Sequence, residues 1–356
     1  MKNFFTKLHY NQKQTFQEKA ITTGLFPVSL VYSLTVEIRN FLYKTNILKT
    51  YQPEVLTISV GNLTTGGTGK TPITAKITNH LTNKGYKVAI LSRGYGSKLN
   101  SKEINIISDG EKIYYDAKIG GDEPVWLAQN CPKTIVLTSS NRVQIAKYAQ
   151  KLNCNVLILD DGFQHQKLGR DINIAVVDIE KQFGNKKVLP AGPLRESIKN
   201  IKRANKIIVV NKNLEQPNEE KLKSFYSYLQ KLNKNASISL CNTKIDGIYE
   251  INSQEPLTNL CEKTILAFSA IGQPEQFYNL LKQSGANIIK SISFADHHSY
   301  SQKDIDELLE TAKDIGADTL ITTEKDAVKI KTFLQIAQKA IYALKLGIDW
   351  DAETIL

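Results

Sequence analysis

Residues 61–71, Gly-Asn-Leu-Thr-Thr-Gly-Gly-Thr-Gly-Lys-Thr, place clustered glycines ahead of a lysine and a hydroxyl. That combination serves phosphate chemistry. Glycine backbones curl tightly enough for successive N–H groups to converge on the β and γ phosphates of a nucleotide. A helix starting at Lys70 adds the positive end of its dipole. Lys70 supplies a point charge, and the Thr71 hydroxyl suits a magnesium ion. In the usual spelling, GxxxxGK followed by Ser or Thr, the first glycine would stand at position 64, where this chain has Thr64. The change touches only the entry to the loop, where Gly61 takes over the turn. The expected nucleotide contacts are Gly61, Thr64, Thr65, Gly66, Gly67, Thr68, Gly69, Lys70 and Thr71.

A nucleotide loop also needs an acid on a neighbouring strand. "VLILDDGFQH" (156–165) ends an apolar run in Asp160 and Asp161. Asp160, at the strand's end, is the expected metal acid; Asp161 shares the metal or orients a substrate hydroxyl. Phosphoryl transfer to an alcohol further needs a base near the γ phosphate. "GGDEP" (120–124) offers Asp122 and Glu123, although an Asp before "EPVWLAQ" is also a good helix cap. "FADHHSY" (294–300) offers Asp296, His297 and His298 after a strand, although loop histidines are often only structural. "KIIVVNKNL" (206–214) imitates the guanine-reading NKxD, but Leu214 stands where the carboxylate would be, which rejects guanine specificity. Thr65 replaces the extra lysine of dimerising loop ATPases, which weakens that reading.

These residues need a frame that brings distant segments together. Apolar stretches at 55–60, 87–92, 134–138, 155–160 and 172–178 read as buried parallel strands, with helices around 70–84 and 141–152. Residues 103–116 read as a hairpin insertion. A second alternating block has strands at 206–210, 236–240, 264–269, 287–294 and 318–323, with helices near 217–232, 274–283 and 301–315. The rhythm predicts an α/β fold of two α/β/α sandwich domains, the first a P-loop NTPase-like parallel sheet. The expected organisation is an N-terminal amphipathic segment (1–50), a P-loop kinase domain (51–203) and a smaller α/β domain (204–356) closing over the cleft.

The 356 residues suit two domains, and a 41% apolar share suffices for proper cores. The net charge of +11 comes from scattered lysines without an aromatic-interleaved stripe. It points to anionic substrates or an anionic membrane surface and away from nucleic acid. Cys131, Cys154, Cys241 and Cys261 form no CxxC pair and read as buried free thiols. The polar first twenty residues read as no signal peptide. The apolar run Leu25 to Val36 is shorter than the about 20 residues that cross a bilayer. With Leu30, Leu34, Ile38, Phe41 and Leu42 it reads as an amphipathic helix, lying in a membrane interface or packed on the main domain.

Together "GNLTTGGTGKTP", "SRGYG" (92–96), "GDEP", "DDGFQH", "LPAGPLRE" (189–196), "FADHHSY" and "TTEKDAVK" (322–329) resemble the tetraacyldisaccharide 4'-kinase family. The resemblance spans residues 55 to about 330 in matching order. It implies an ATP- and Mg2+-dependent kinase acting on the 4'-hydroxyl of a tetraacylated glucosamine disaccharide 1-phosphate, a lipid A precursor. It also implies an enzyme peripheral to the cytoplasmic face of the inner membrane of a Gram-negative bacterium, with two α/β domains joined by a hinge. On this resemblance Asp122 is the base and His297 the group that orients it. Thr71 and Asp160 hold the metal, and Arg93, Tyr95, Glu123, Arg142, Asp161, Gln164, His165 and Arg195 contact substrate or phosphate. "TTEKDAVK" falls at the domain interface, as a helix cap by Thr323 with Glu324 or as a nucleotide contact. The rival readings are a nucleotide-switched carrier ATPase, which needs no acid–histidine pair, and a soluble small-molecule kinase, which has no use for the apolar helix.

Overall fold

The computed structural model describes residues 8–10, 15–258, 260–272, 274–296, 298–336 and 340–355. The first block has strands β1 (Leu56–Gly61), β2 (Val88–Ser92), β3 (Asn105–Asp109), β4 (Ile135–Thr138), β5 (Val156–Asp160), β6 (Ile172–Asp178) and β7 (Lys206–Asn211). The second has β8 (Ser237–Glu250), β9 (Thr264–Ser269), β10 (Asn287–Ser293), β11 (Thr319–Thr323) and β12 (Ile341–Asp349). The two blocks join edge to edge in one twelve-stranded sheet, ordered β10-β9-β11-β12-β8-β7-β6-β1-β5-β2-β4-β3. Among the described strands, only the β3–β4 and β8–β12 pairs are antiparallel. β8 runs well past the short strand expected at 236–240. Its first part pairs with β7 from Ser237 to Asn242, and its continuation to Glu250 pairs with β12. One long strand therefore makes the seam between the blocks.

Six α-helices bear on the site: α1 (Phe16–Lys44), α2 (Lys70–Asn83), α3 (Asp122–Asn130), α4 (Arg142–Lys151), α5 (Gln302–Asp314) and α6 (Glu324–Ile330). In α2, Ile73, Ile77 and Leu81 recur every fourth residue and are fully buried against Ile58, Val60 and Ile158 of β1 and β5. This apolar stripe fixes the direction in which the helix leaves the phosphate loop. In α5, Ile305, Leu308 and Ala312, spaced three and four apart, are buried against Leu266, Phe268 and Leu320. Three cysteines are buried free thiols as expected; Cys261 is exposed, a correction to that expectation.

α1 is longer than its apolar run suggested. A capping box of Thr15 and Glu18 starts it, and its 29 residues are long and apolar enough to cross a membrane. One row of its polar side chains meets the body of the protein. The Ser29 hydroxyl accepts from Ala191 N at 2.9 Å, Tyr32 donates to the Arg195 carbonyl at 3.0 Å, and Asn200 donates to Glu37 at 2.7 Å. Arg39 donates to the Gln164 carbonyl at 3.1 Å, and Asn40 donates to the buried Glu196 at 3.2 Å. Its apolar side chains point outward: Leu30, Val31, Leu34 and Phe41 are 60, 67, 61 and 60% exposed. A spanning helix would have to surrender that inward polar row, so the contacts favour a helix lying along the body.

Candidate active site

β1 delivers the chain into the loop, and Gly69, in the left-handed region at φ 91°, caps α2 so that Lys70 is its first residue. Gly66 is also left-handed at φ 98°, and a Cβ on Gly66 or Gly67 would meet nothing within 4 Å. Their backbones thus face open space, as a phosphate cradle requires. The buried Asn62 braces the loop from inside: it donates to Thr68 Oγ1 at 3.0 Å and accepts from Lys70 Nζ at 3.2 Å. From outside, Thr65 N donates to the Pro193 carbonyl at 2.8 Å, and Tyr10 donates to the Thr65 carbonyl at 2.9 Å. Lys212, in the "NKNL" stretch, donates to the Gly67 carbonyl and pairs with Asp178 at 2.9 Å. Gly61 does not make the entry turn. It ends β1, and a Cβ there would lie 2.5 Å from Phe163 N, so glycine is required by close packing against the loop after β5.

Two adjacent carboxylates stand where β5 meets that loop, and their surroundings shift them in opposite directions. Asp160 is buried and accepts from Thr74 of α2 at 3.2 Å. Burial, with Glu123 and Asp161 nearby, pushes it up to about 6. Asp161, at φ 50°, is itself buried enough to be raised, yet Lys70 at 3.4 Å and Arg195 at 2.8 Å overcome this and hold it at about 2. Adjacent acids pushed apart in this way can take separate roles. Thr71 lies one turn before Thr74 on the same helix and faces the same way. Thr71 and Asp160 fit a magnesium ion also held by nucleotide phosphates, since magnesium usually takes one or two protein ligands. Among the described residues, no group of three or more His, Cys, Asp or Glu would hold a metal unaided.

On the acceptor side, Gly121 rather than Asp122 is the N-cap of α3, at φ 91°, which leaves Asp122 as the first helical residue. Asp122 pairs with Lys329 at 3.2 Å and Glu123 with Lys325 at 3.1 Å, both lysines on α6. Thr323 caps α6 and is paired with Asp326 rather than the expected Glu324. His297 lies outside the described residues. His298 pairs with Asp304 at 3.3 Å and stacks on Phe294 at 4.8 Å between ring centres.

The remaining expected contacts divide between mouth and interior. Tyr95 is exposed, and Arg93 follows β2 at the same end of the sheet. Arg195 and Gln164 face Asp161 and the loop; Gln164 donates to the Asn62 carbonyl at 2.8 Å and to Glu196 at 2.9 Å. Arg142 is buried and donates to the Asp161 carbonyl at 2.9 Å, which directs it at the backbone of the acid pair. His165 is held at about 3 by burial and by Arg142 and Arg170, so it is neutral. Sequence reasoning passed over Asn62, Glu196, Lys212, Lys325 and Lys329. Asn62 and Glu196 lie in the phosphate-loop and "LPAGPLRE" stretches, Lys212 in "KIIVVNKNL", and Lys325 and Lys329 in "TTEKDAVK".

The chain matches the family described as tetraacyldisaccharide-1-P 4'-kinase over residues 21–356. A tetraacyldisaccharide 4'-kinase of Desulfotalea psychrophila is 37% identical over 320 residues, covering 89% of this chain and 90% of that protein. One from Halothermothrix orenii is 33% identical over 341 residues, covering 92% and 88%. A crystal structure of LpxK from Aquifex aeolicus in complex with ATP superposes with a TM-score of 0.74 at 30% identity, covering 94% of this chain and 96% of that one.

Proposed function

This chain belongs to the tetraacyldisaccharide-1-phosphate 4'-kinase family, and on that premise we propose how its own residues carry the reaction. The enzyme is an ATP-dependent lipid kinase of lipid A biosynthesis and uses ATP with Mg2+. The phosphorus–oxygen bond forms at the 4'-oxygen of the disaccharide, the bond to the β–γ bridging oxygen breaks, and ADP leaves. Bound magnesium supplies neutralisation of the charge developing on the β and γ phosphates.

The amides of residues 66–70 hold the phosphates, with Lys70 as the fixed cation. Thr71 and Asp160 take the metal. Asp122 receives the proton of the 4'-hydroxyl, and His297 orients it. Arg195 and Asp161 form a charged edge beside the acceptor, with Arg93, Tyr95, Glu123, Arg142, Gln164 and His165 as further candidates for acceptor or phosphate contact. The observation that carries the reading is the open glycine cradle beside the raised and depressed acids at the end of β5.

The partner surface follows from α1. Its outward apolar row suits the headgroup–acyl boundary, and Tyr32 ties it to the segment that bears Arg195. Each buried CH₂ of an acyl chain is worth about 0.8 kcal/mol, so the substrate stays in the bilayer and the enzyme goes to it. ATP supply then favours the cytoplasmic face of the inner membrane, with no nucleic-acid partner. The test uses γ-labelled ATP and tetraacyldisaccharide 1-phosphate in detergent micelles. Asp122→Ala and His297→Ala should each lower turnover about 100- to 10,000-fold while nucleotide binding persists. Near-normal turnover in either variant removes that residue's role.

A further inference from the structure

Lys329 closes the "TTEKDAVK" stretch, for which the reaction as described has no use. Its side chain is 9% exposed, and its ammonium lies between Asp122 at 3.2 Å and the fully buried Asp326 at 3.4 Å. Burying a cation is costly unless it is paired, and this one is paired on both sides. Asp326 is itself fixed. One of its oxygens, Oδ2, accepts from Ala270 N at 2.9 Å and from the Thr323 hydroxyl at 2.8 Å; the other, Oδ1, faces Lys329. Ala270 follows β9 immediately, and the nearby Gly272 lies against Asp296, in the stretch that precedes His297.

A continuous polar chain therefore runs from the end of β9 through Asp326 and Lys329 to the first residue of α3. We propose that Lys329 is a positioning residue for the phosphoryl-transfer step: it sets the orientation of the Asp122 carboxylate and links it to the second block of the sheet. This rests on Asp122 being the base. A purely structural lysine would need only Asp326. The second carboxylate has a consequence during turnover: when Asp122 takes the hydroxyl proton it loses its charge, and Lys329 keeps Asp326 as its counter-ion. The buried ammonium is never left unpaired, so the base can cycle between charged and neutral forms without the seam rearranging. The neighbouring Lys325–Glu123 pair runs between the same two helices but is about 40% exposed on both sides, too wet to do the same.

The experiment measures kcat and both KM values in micelles, with nucleotide binding and thermal melting as folding controls, for Lys329→Met, Lys329→Arg, Asp122→Asn and the Asp122→Asn/Lys329→Met double variant. Misplacing a reacting group by about 1 Å costs on the order of 100-fold. Lys329→Met should therefore lose about that factor in kcat with both KM values unchanged. Lys329→Arg should recover part of it. The double variant should fall no further than Asp122→Asn alone, because the lysine acts through the carboxylate. If Lys329→Met fails to fold, Lys329→Met/Asp326→Asn removes both buried charges, and the same loss in kcat is expected of it. Full kcat in the folded lysine variant, or losses that multiply in the double variant, overturns the inference while Asp122 stands as the base. If Asp122→Asn itself keeps its turnover, the base assignment falls and the inference falls with it.

Discussion

The nucleotide side and the acceptor side of the site draw on the chain in opposite ways. Around the phosphate loop, Asn62, Thr68 and Lys70 bond to one another within nine residues, and Asp161 and Arg195 close the ring from the same block. On the acceptor side the corresponding bonds run between the blocks, from α3 to α6: Glu123 meets Lys325 across 202 positions, and Asp122 meets Lys329. Local bonds make the cradle a property of one block, present whatever the other block does. Bonds between the blocks make the geometry of Asp122, the proposed base, depend on how the two blocks sit, which is where a two-block kinase can couple closure to chemistry.

Lys70→Ala breaks the local side. Its ammonium bonds Asn62 and pairs with Asp161, and it is the cation proposed for the phosphates, so kcat/KM for ATP should drop about 100- to 1000-fold, read by steady-state kinetics. Leu34→Ser leaves both sides intact and tests what carries the enzyme to its substrate. One lost leucine should weaken binding to anionic vesicles by about 1.5–3 kcal/mol in a flotation or sedimentation assay, with micelle turnover little changed. Asp160→Asn exposes the strain built into the local side. The Asp160 carboxyl is raised from 3.8 to about 6, so its stabilising contribution is full below pH 4 and is lost as pH climbs to 6. The ligand-free variant should therefore melt at a higher temperature than wild type above pH 6, by a few degrees, and the difference should shrink toward pH 4. A difference independent of pH contradicts the assignment. Lys325→Met gives the smallest effect, below about 1 kcal/mol of stability in a denaturant titration, because its pair with Glu123 is half in water.

The same contrast decides what could be read in the sequence. Residues that act through neighbours left a local trace. The strands expected at 55–60 and 155–160 are β1 and β5 within a residue, and the acids stand at the end of β5 where an apolar run stops. Gly66 and Gly69 carry the left-handed backbone that their clustering implied. The seam left none. β12 and the second half of β8 have mixed polar and apolar residues, because the β8 side chains are mostly half-exposed, so periodicity does not mark them. Lys329 and Asp326 look like ordinary charges of a short capped helix, and only burial between α3 and β9 gives them a task. Glu196, fully buried beneath Arg203 at 2.6 Å, Gln164 and Asn40, was hidden for the same reason: its partners come from three separate stretches. Even α1 reads differently in place, since its sequence shows two faces but not that the polar one is turned inward.

The most direct measurement is a crystal structure with a non-hydrolysable ATP analogue and magnesium. The account predicts the analogue's terminal phosphates against the amides of residues 66–70, the metal between Thr71 and Asp160, and Asp122 still paired with Lys329 and facing the terminal phosphate. An analogue lodged elsewhere, with the glycine turn vacant, or a metal held without Asp160, would contradict it.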